Sequence, residues 1–377
     1  MLSIALIIGI LLFLYPFVIY PALLIAIPFA GRKHEGPPEP RHWPTVALVI
    51  CALNEQKIIR QKLENSRALR YPNQKLSLVF ISDGSTDATA DIIREYTASG
   101  VELIEHKTRR GKIANLNETL IARTEDILVL SDANVIYDRD AIGHLVANFY
   151  DPLIGGVSGK VILTDSAPVL GGPTQNYYSV EWLLQEKASD IYAMPGTDGA
   201  MYALRRELFR PCPNDTIIED FVIAMQIVGL GRRMVFEPKA LGWEQGAASL
   251  REEFRRKVRI SAGAAQGLLR GNVWPRHVPL RFWFIFVSHK LLRWLSPVVG
   301  LWVLLVAGLT SGQVLSQLVL CGFAILSGLA LLRWLTGSDH PLLSAPFYFL
   351  FGQIAMALGL AKGVLGQQTV LWMKADR

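Results

Sequence analysis

Residues 127–137, ILVLSDANVIY, decide how this chain is read. Four apolar residues run into Ser131, Asp132, Ala133 and Asn134. A short apolar run ended by small and acidic residues predicts a buried parallel strand that delivers a carboxylate to the carboxyl edge of a sheet. In open α/β sheets, ligands bind at that edge. Asp132, with Asn134 two residues on, is therefore a candidate for holding a divalent metal (Mg2+ or Mn2+) on a nucleotide diphosphate. Such a metal takes hard oxygen ligands, commonly one or two carboxylates plus phosphate oxygens.

The flanking sequence supports a sheet of this kind. Residues 45–53 (TVALVICAL) and 76–82 (LSLVFIS) predict two further buried strands, with a short one over 101–105 and the fourth over 127–131. Helical patterns fill the intervals, from after Asn54 and Glu55 to about residue 69, over 88–96 and over 112–123. Strand and helix alternating at this spacing predict βαβ units, hence an α/β, mostly parallel and doubly wound sheet flanked by helices. Downstream the pattern loosens. We expect a strand over 155–163, a helix over 177–189, a turn-rich loop over 195–200, a helix over 216–229 and a basic helix over 250–269.

Both ends are apolar. Hydrophobic residues make up 51% of the 377 and charged residues 19%, below the usual quarter for a soluble domain, so part of the chain belongs in lipid. Residues 1–30 carry no charge and exceed the roughly 20 residues that span a bilayer. Arg32, Lys33 and Arg41 follow in a Pro-rich linker over 31–44, which places the next domain in the cytoplasm. Residues 271–294 mix aromatic and basic side chains, as an amphipathic interfacial helix would. Residues 295–332 have no charge over 38 positions and are broken by Thr310–Gln313, so they predict two spans with a tight turn. A third span is expected within 341–366, with a re-entrant segment as the alternative, before a basic tail at 367–377. The net charge of +6 marks a membrane face rather than nucleic-acid binding. Three scattered cysteines, Cys51, Cys212 and Cys321, argue against a disulfide framework and a zinc site.

Between these ends lie the motifs that carry chemistry. Asp83, in SDGSTD, ends the second strand where a carboxylate can accept hydrogen bonds from a base or ribose, although turn and cap chemistry explains it equally well. Arg109, Arg110, Gly111 and Lys112 form a basic, Gly-containing entry to a helix, suited to a pyrophosphate. Glu219 and Asp220 open a helix, where the dipole favours acids and where a general base on an acceptor hydroxyl could sit. Arg255, Arg256, Lys257 and Arg259 precede the membrane and suit lipid headgroups, a leaving diphosphate, or both.

Taken together the chain resembles membrane-bound family 2 glycosyltransferases of the GT-A fold, such as bacterial hyaluronan, chitin-oligosaccharide and poly-N-acetylglucosamine synthases and their cellulose synthase relatives. The resemblance rests on seven motifs in order: ALNE, SDGSTD, RGKIANLN, SDAN, PGTDGAMYALRREL, IIEDF and RRKVRI. It implies that Asn54, Glu55, Asp83, Lys112, Asp132 and Arg259 bind a UDP-sugar. Asp132 and Asn134 would hold the metal, in place of a DxD motif. Asp198, Gly199, Ala200 and Arg256 would line the donor and acceptor pocket. Asp220 would be the base of an inverting transfer, with Glu219 beside it. The segment that corresponds to Q-x-x-R-W keeps Arg259 but has Arg256 and Ile260 at the outer positions, which argues against processive polymerisation.

The resemblance further implies a multi-pass protein of the bacterial inner membrane with its catalytic domain in the cytoplasm. The acceptor would be a membrane-associated glycan or lipid in extracellular or cell-envelope polysaccharide synthesis, with export proteins as possible partners. A processive β-glycan synthase is the alternative reading. A transporter or channel with a nucleotide-sensing domain is the competing class. The uncharged stretch 295–332 offers it none of the intramembrane charges that substrate paths usually need.

Overall fold

The computed structural model describes residues 2–26, 42–164, 171–247 and 249–369. Most of the linker (31–41) and most of the basic tail (370–377) lie outside the described residues.

The four expected strands form as β1 (Val46–Ala52), β2 (Leu76–Asp83), β3 (Val101–His106) and β4 (Ile127–Asp132). They pair in parallel in the order β3-β2-β1-β4. Because successive side chains alternate between faces, β1 feeds two cores. Ala47 and Val49 join one cluster, while Val46, Leu48 and Ile50 join the other. A strand buried on both faces must be apolar throughout, which is why these runs do not alternate. The first helices are α1 (Leu2–Ala26), α2 (Ile59–Arg67), α3 (Thr89–Arg94), α4 (Lys112–Ala122) and α5 (Ala141–Ala147). Helices α2 and α5 cover one face, and α4 covers the other together with α7 (Glu219–Gly229), which follows the long α6 (Gly171–Ile191).

The doubly wound expectation holds only for this first half. Beyond β4 the sheet continues through β5 (Val135–Tyr137), β6 (Ile154–Thr164), β7 (Met201–Arg205) and β8 (Arg233–Gln245), giving, among the described residues, eight strands in the order β3-β2-β1-β4-β7-β6-β8-β5. β7 runs antiparallel to β4 and β6, and β5 runs antiparallel to β8, while β6 and β8 are parallel. The antiparallel β7 turns back at Asp198–Ala200 and so places that loop beside the end of β4, where Asp132 N–H donates to the Ala200 carbonyl at 3.3 Å.

Among the described residues, four helices are long and apolar enough to cross a membrane: α1, α9 (Leu280–Leu309), α10 (Val314–Thr336) and α11 (Pro341–Val364). The stretch expected as a separate interfacial helix over 271–294 is, from Leu280, the first part of α9. It joins the remainder through a π-helical turn at Val287–Leu291. Helix α1 has its own π turn at Tyr15–Ile19, where Pro16 cannot donate an N–H, and Tyr15 and Ser288 share a 3.0 Å hydrogen bond between the two turns. Glu181 of α6 takes His289 and Arg293 of α9 at 2.8 Å each, tying the α/β domain to this apolar helix.

The basic helix α8 (Leu250–Arg270) lies lengthwise against α11. A Cβ at Gly359 would sit 2.5 Å from the Val258 carbonyl oxygen, and one at Gly363 would sit 2.4 Å from that of Ala262. Glycine at this four-residue spacing lets the two backbones touch.

Candidate active site

Strands β2, β3 and β4 end in Asp83, His106 and Asp132 at one edge, β1 runs on past Ala52 to Asn54, and the loops there interlock. Asn54, in left-handed conformation with φ of 55°, accepts the Thr86 N–H through Oδ1 at 2.7 Å. The Glu55 N–H donates to Thr89 Oγ1 at 2.7 Å. Asp83 accepts the Arg110 and Gly111 N–H groups at 2.7 and 2.9 Å, so its buried carboxylate sets the entry to α4. Gly84 lets this happen: with φ of 69°, its hypothetical Cβ would stand 2.5 Å from the Arg109 nitrogen. The loop so held aims Lys112, the first residue of α4, across the sheet edge.

Lys112 joins the two acidic motifs. Its Nζ lies 2.8 Å from Asp132 Oδ1 and 2.9 Å from Glu219 Oε1. Burial opposes its charge, but Asp132 and Glu219 outweigh that and hold the ammonium well above the ordinary lysine range. Asp220 follows Glu219 in the first turn of α7 and rests against the loop before β7, where a Cβ at Gly199 would stand 2.8 Å from Asp220 Oδ2. Burial pushes the Asp220 carboxyl up to about 6, and the Glu219 charge acts in the same direction. Burial likewise pushes Asp198 up to about 7, with Glu244, Asp220 and Asp132 adding to it. The Asp198 N–H donates to Ser158 Oγ at 3.1 Å, and its Oδ1 accepts the Ala200 N–H at 3.1 Å.

Thus Asp132, Lys112, Glu219, Asp220, Asp198, Gly199 and Ala200 come together in one cleft. Asn54, Glu55 and Asp83 line its neighbouring loop. Arg259 Nη1 donates to the Ile217 carbonyl at 3.1 Å, just before α7, and its charge also acts on Asp220. Arg256, expected in the pocket, pairs with Glu253 of its own helix at 2.9 Å. Burial pushes the Cys51 thiol up to about 12, which removes it as a nucleophile.

Two site residues escape a reading of the sequence. Glu244, near the end of β8, accepts the Asn134 amide at 2.8 Å and so puts a carboxylate beside the Asp132–Asn134 turn. Lys62, fully buried in α2, donates to Ser131 Oγ at 2.8 Å and to the Val135 carbonyl at 2.5 Å, under the Tyr137 ring. It grips both sides of that turn from behind. Burial pulls Lys62 down to about 7, against the Asp132 charge. An unfolded lysine titrates near 10.4, so the unfolded chain binds the extra proton in between, and stability contributed at this site rises with pH from about 7 to about 10. Replacing Lys62 by Met should abolish that rise, as followed by thermal unfolding in detergent at several pH values. An unchanged slope would mean that Lys62 is not buried as described.

The residues present fit a divalent metal. Asp132, Asp198, Glu219, Asp220 and Glu244 supply five carboxyl groups there, with Lys112, Lys290 and Arg259 as cations that act on them. Among the described residues no three acidic, His or Cys side chains converge into a complete ligand cage.

Residues 44–263 match the family model described as glycosyltransferase like family 2. That is more than half of the chain. The chain belongs to this glycosyltransferase family. Among curated relatives, it is 26% identical over 231 residues to the poly-beta-1,6-N-acetyl-D-glucosamine synthase of Staphylococcus aureus (strain COL), covering 60% of this chain and 56% of that protein. It is 27% identical over 234 residues to the probable glycosyltransferase YdaM of Bacillus subtilis (strain 168), covering 58% and 55%. The chain therefore spans about half the length of the curated relatives it matches. A solved mannosyltransferase from Pyrobaculum calidifontis, in complex with GDP-Man and Mn2+, shares the fold with a TM-score of 0.76 and 22% identity. The match covers 98% of this chain and all of that one.

Proposed function

We propose that this protein is an inverting glycosyltransferase that moves a sugar from a nucleotide-sugar donor, a UDP-sugar, to a membrane-associated glycan or lipid acceptor in cell-envelope polysaccharide synthesis. The observation that carries the reading is the Lys112 bridge, which joins the Asp132 end of the cleft to the Glu219–Asp220 end through contacts of 2.8 and 2.9 Å. A donor diphosphate at one end and an acceptor hydroxyl at the other meet within that span.

Asp132 and Asn134, with Glu244 beside them, would hold a divalent metal. When bound, the metal supplies positive charge against the charge building on the leaving diphosphate. Lys112 adds to it from the protein side. Asp220, poised by burial, takes the proton from the acceptor hydroxyl. The acceptor oxygen then bonds to the anomeric carbon as the bond to the diphosphate breaks on the opposite face. Asp198 to Ala200 line the sugar between them. The basic residues Arg32, Lys33 and Arg41 after the first apolar helix support a cleft at the cytoplasmic face of the bacterial inner membrane, where a lipid-borne or glycan acceptor would reach it.

Full-length protein in lipid nanodiscs with Mn2+ should release nucleoside diphosphate from one of a panel of UDP- and GDP-hexoses and N-acetylhexosamines, with matching product. A product ladder would indicate polymerisation and a single product one addition. Release of pyrophosphate, or substrate flux without any diphosphate release, would overturn the proposal.

A further inference from the structure

Helix α8 carries two sets of cations with different fates. Arg256 and Lys257 share Glu253, Arg259 reaches Ile217, and Arg270 pairs with Asp215. Arg251 and Arg255 are exposed and have no carboxylate partner among the described residues. They sit one turn apart, on the same face as Leu250 and Phe254.

That face borders a groove of about 510 Å³, which Trp334 of α10 and Phe347 and Phe351 of α11 complete. Its apolar wall is built from packed rings. Phe254 meets Phe351 edge-on at 5.2 Å, and Phe347 stacks on Phe351 at 5.9 Å. Arg333, at the same end of α10, is already neutralised by Asp339 at 2.7 Å, so the charge left on the groove is that of Arg251 and Arg255. Trp334 closes it at the end of a spanning helix, the level at which tryptophan meets headgroups.

Two unpaired arginines above an aromatic floor fit a phosphate attached to apolar chains. A bare phosphate would leave the rings uncovered, and a zwitterionic headgroup would bring its own cation to the arginines. We propose that this groove binds an anionic diacyl glycerophospholipid of the leaflet facing the catalytic domain. Arg251 and Arg255 would hold the phosphate, and Phe254, Trp334, Phe347 and Phe351 would hold the start of the chains. The lining includes none of the cleft residues. Even so, Arg255 and Arg259 lie on one helix about 6 Å apart along its axis, so a lipid that steadies α8 also steadies Arg259 under the Ile217–Asp220 segment.

Native mass spectrometry of the full chain in neutral detergent tests this with dioleoyl phosphatidylglycerol as the probe. One lipid should be retained per chain. Retention should weaken at least tenfold in Arg251→Gln/Arg255→Gln and several-fold in Trp334→Ala, and phosphatidylcholine should not compete. Trp334 is 68% exposed, so its variant keeps the test meaningful if the double variant does not fold. Equal retention of the two lipids, or unchanged retention in both variants, would overturn the proposal. So would displacement by inorganic phosphate alone, which would mean an anion site without chains. Displacement by a polyprenyl phosphate at lower concentration would assign the groove to a lipid-linked acceptor and overturn it as well.

Discussion

Asp220→Asn should lower the turnover of sugar transfer by about a thousandfold, within the 10²–10⁴ range that a positioned general base supplies, while nucleoside diphosphate binding stays intact. Asparagine keeps the shape of the side chain at the start of α7 and its fit against Gly199, where the aspartate oxygen now stands 2.8 Å from a hypothetical Cβ. It cannot accept the hydroxyl proton. The same group sets the pH dependence. Burial, and then the Glu219 charge, raise Asp220 to about 6, so the active carboxylate form is lost as pH falls through that value. Wild-type turnover should therefore drop about tenfold per pH unit below about 6, whereas the residual rate of the variant should be flat there. Titration calorimetry with the diphosphate separates binding from chemistry. Wild-type turnover in the variant would remove Asp220 from the mechanism.

Lys112→Met should damage both stability and donor use. Its Nζ holds Asp132 and Glu219, and the Glu219 side chain is only 10% exposed while that of Asp132 is 40% exposed. Breaking a buried pair costs about 3–5 kcal/mol, and the partial exposure of Asp132 places this case at about 3. The lysine's raised pKa means that its stabilisation is complete at neutral pH and is lost only above the ordinary lysine range. At the diphosphate end, one lost cation should lower kcat/KM for the donor by about a hundredfold. Chemical unfolding and donor kinetics on the same preparation read the two effects. A variant as stable and as active as the wild type would mean that the bridge is incidental.

The parallel half of the sheet was legible because β1, β2 and β4 are buried on both faces and so appear as unbroken apolar runs. β8 was not. Glu237, Pro238 and Lys239 interrupt it, and there the register against β6 jumps from Gly159–Glu237 to Lys160–Leu241. A bulge of this kind destroys the periodicity that a sequence pattern needs. Glu244 was hidden with it, since nothing local connects it to Asn134, 110 residues away. Lys62 was hidden differently. Its neighbours Arg60, Gln61 and Glu64 make α2 look solvated, and only packing against β4 and β5 reveals a buried ammonium. The strand-end motifs stood out because short polar clusters interrupt the apolar runs there, and in the fold Asn54 and Asp83 use that polarity to hold the neighbouring loops. Arg256 and Arg259 both read as site residues, but on α8 one turns to Glu253 and the other to the Ile217 carbonyl, and that direction is a property of the packed helix.

The anomeric configuration of the new glycosidic bond tests the account most directly. It can be read from the proton coupling constants of the purified product made from an α-linked nucleotide sugar. One base at Asp220, opposite a diphosphate held at Asp132 and Lys112, predicts a β-linked product formed in a single displacement. An α-linked product would require a second displacement or attack from the diphosphate face, and would contradict the placement of base and leaving group on opposite sides of the cleft.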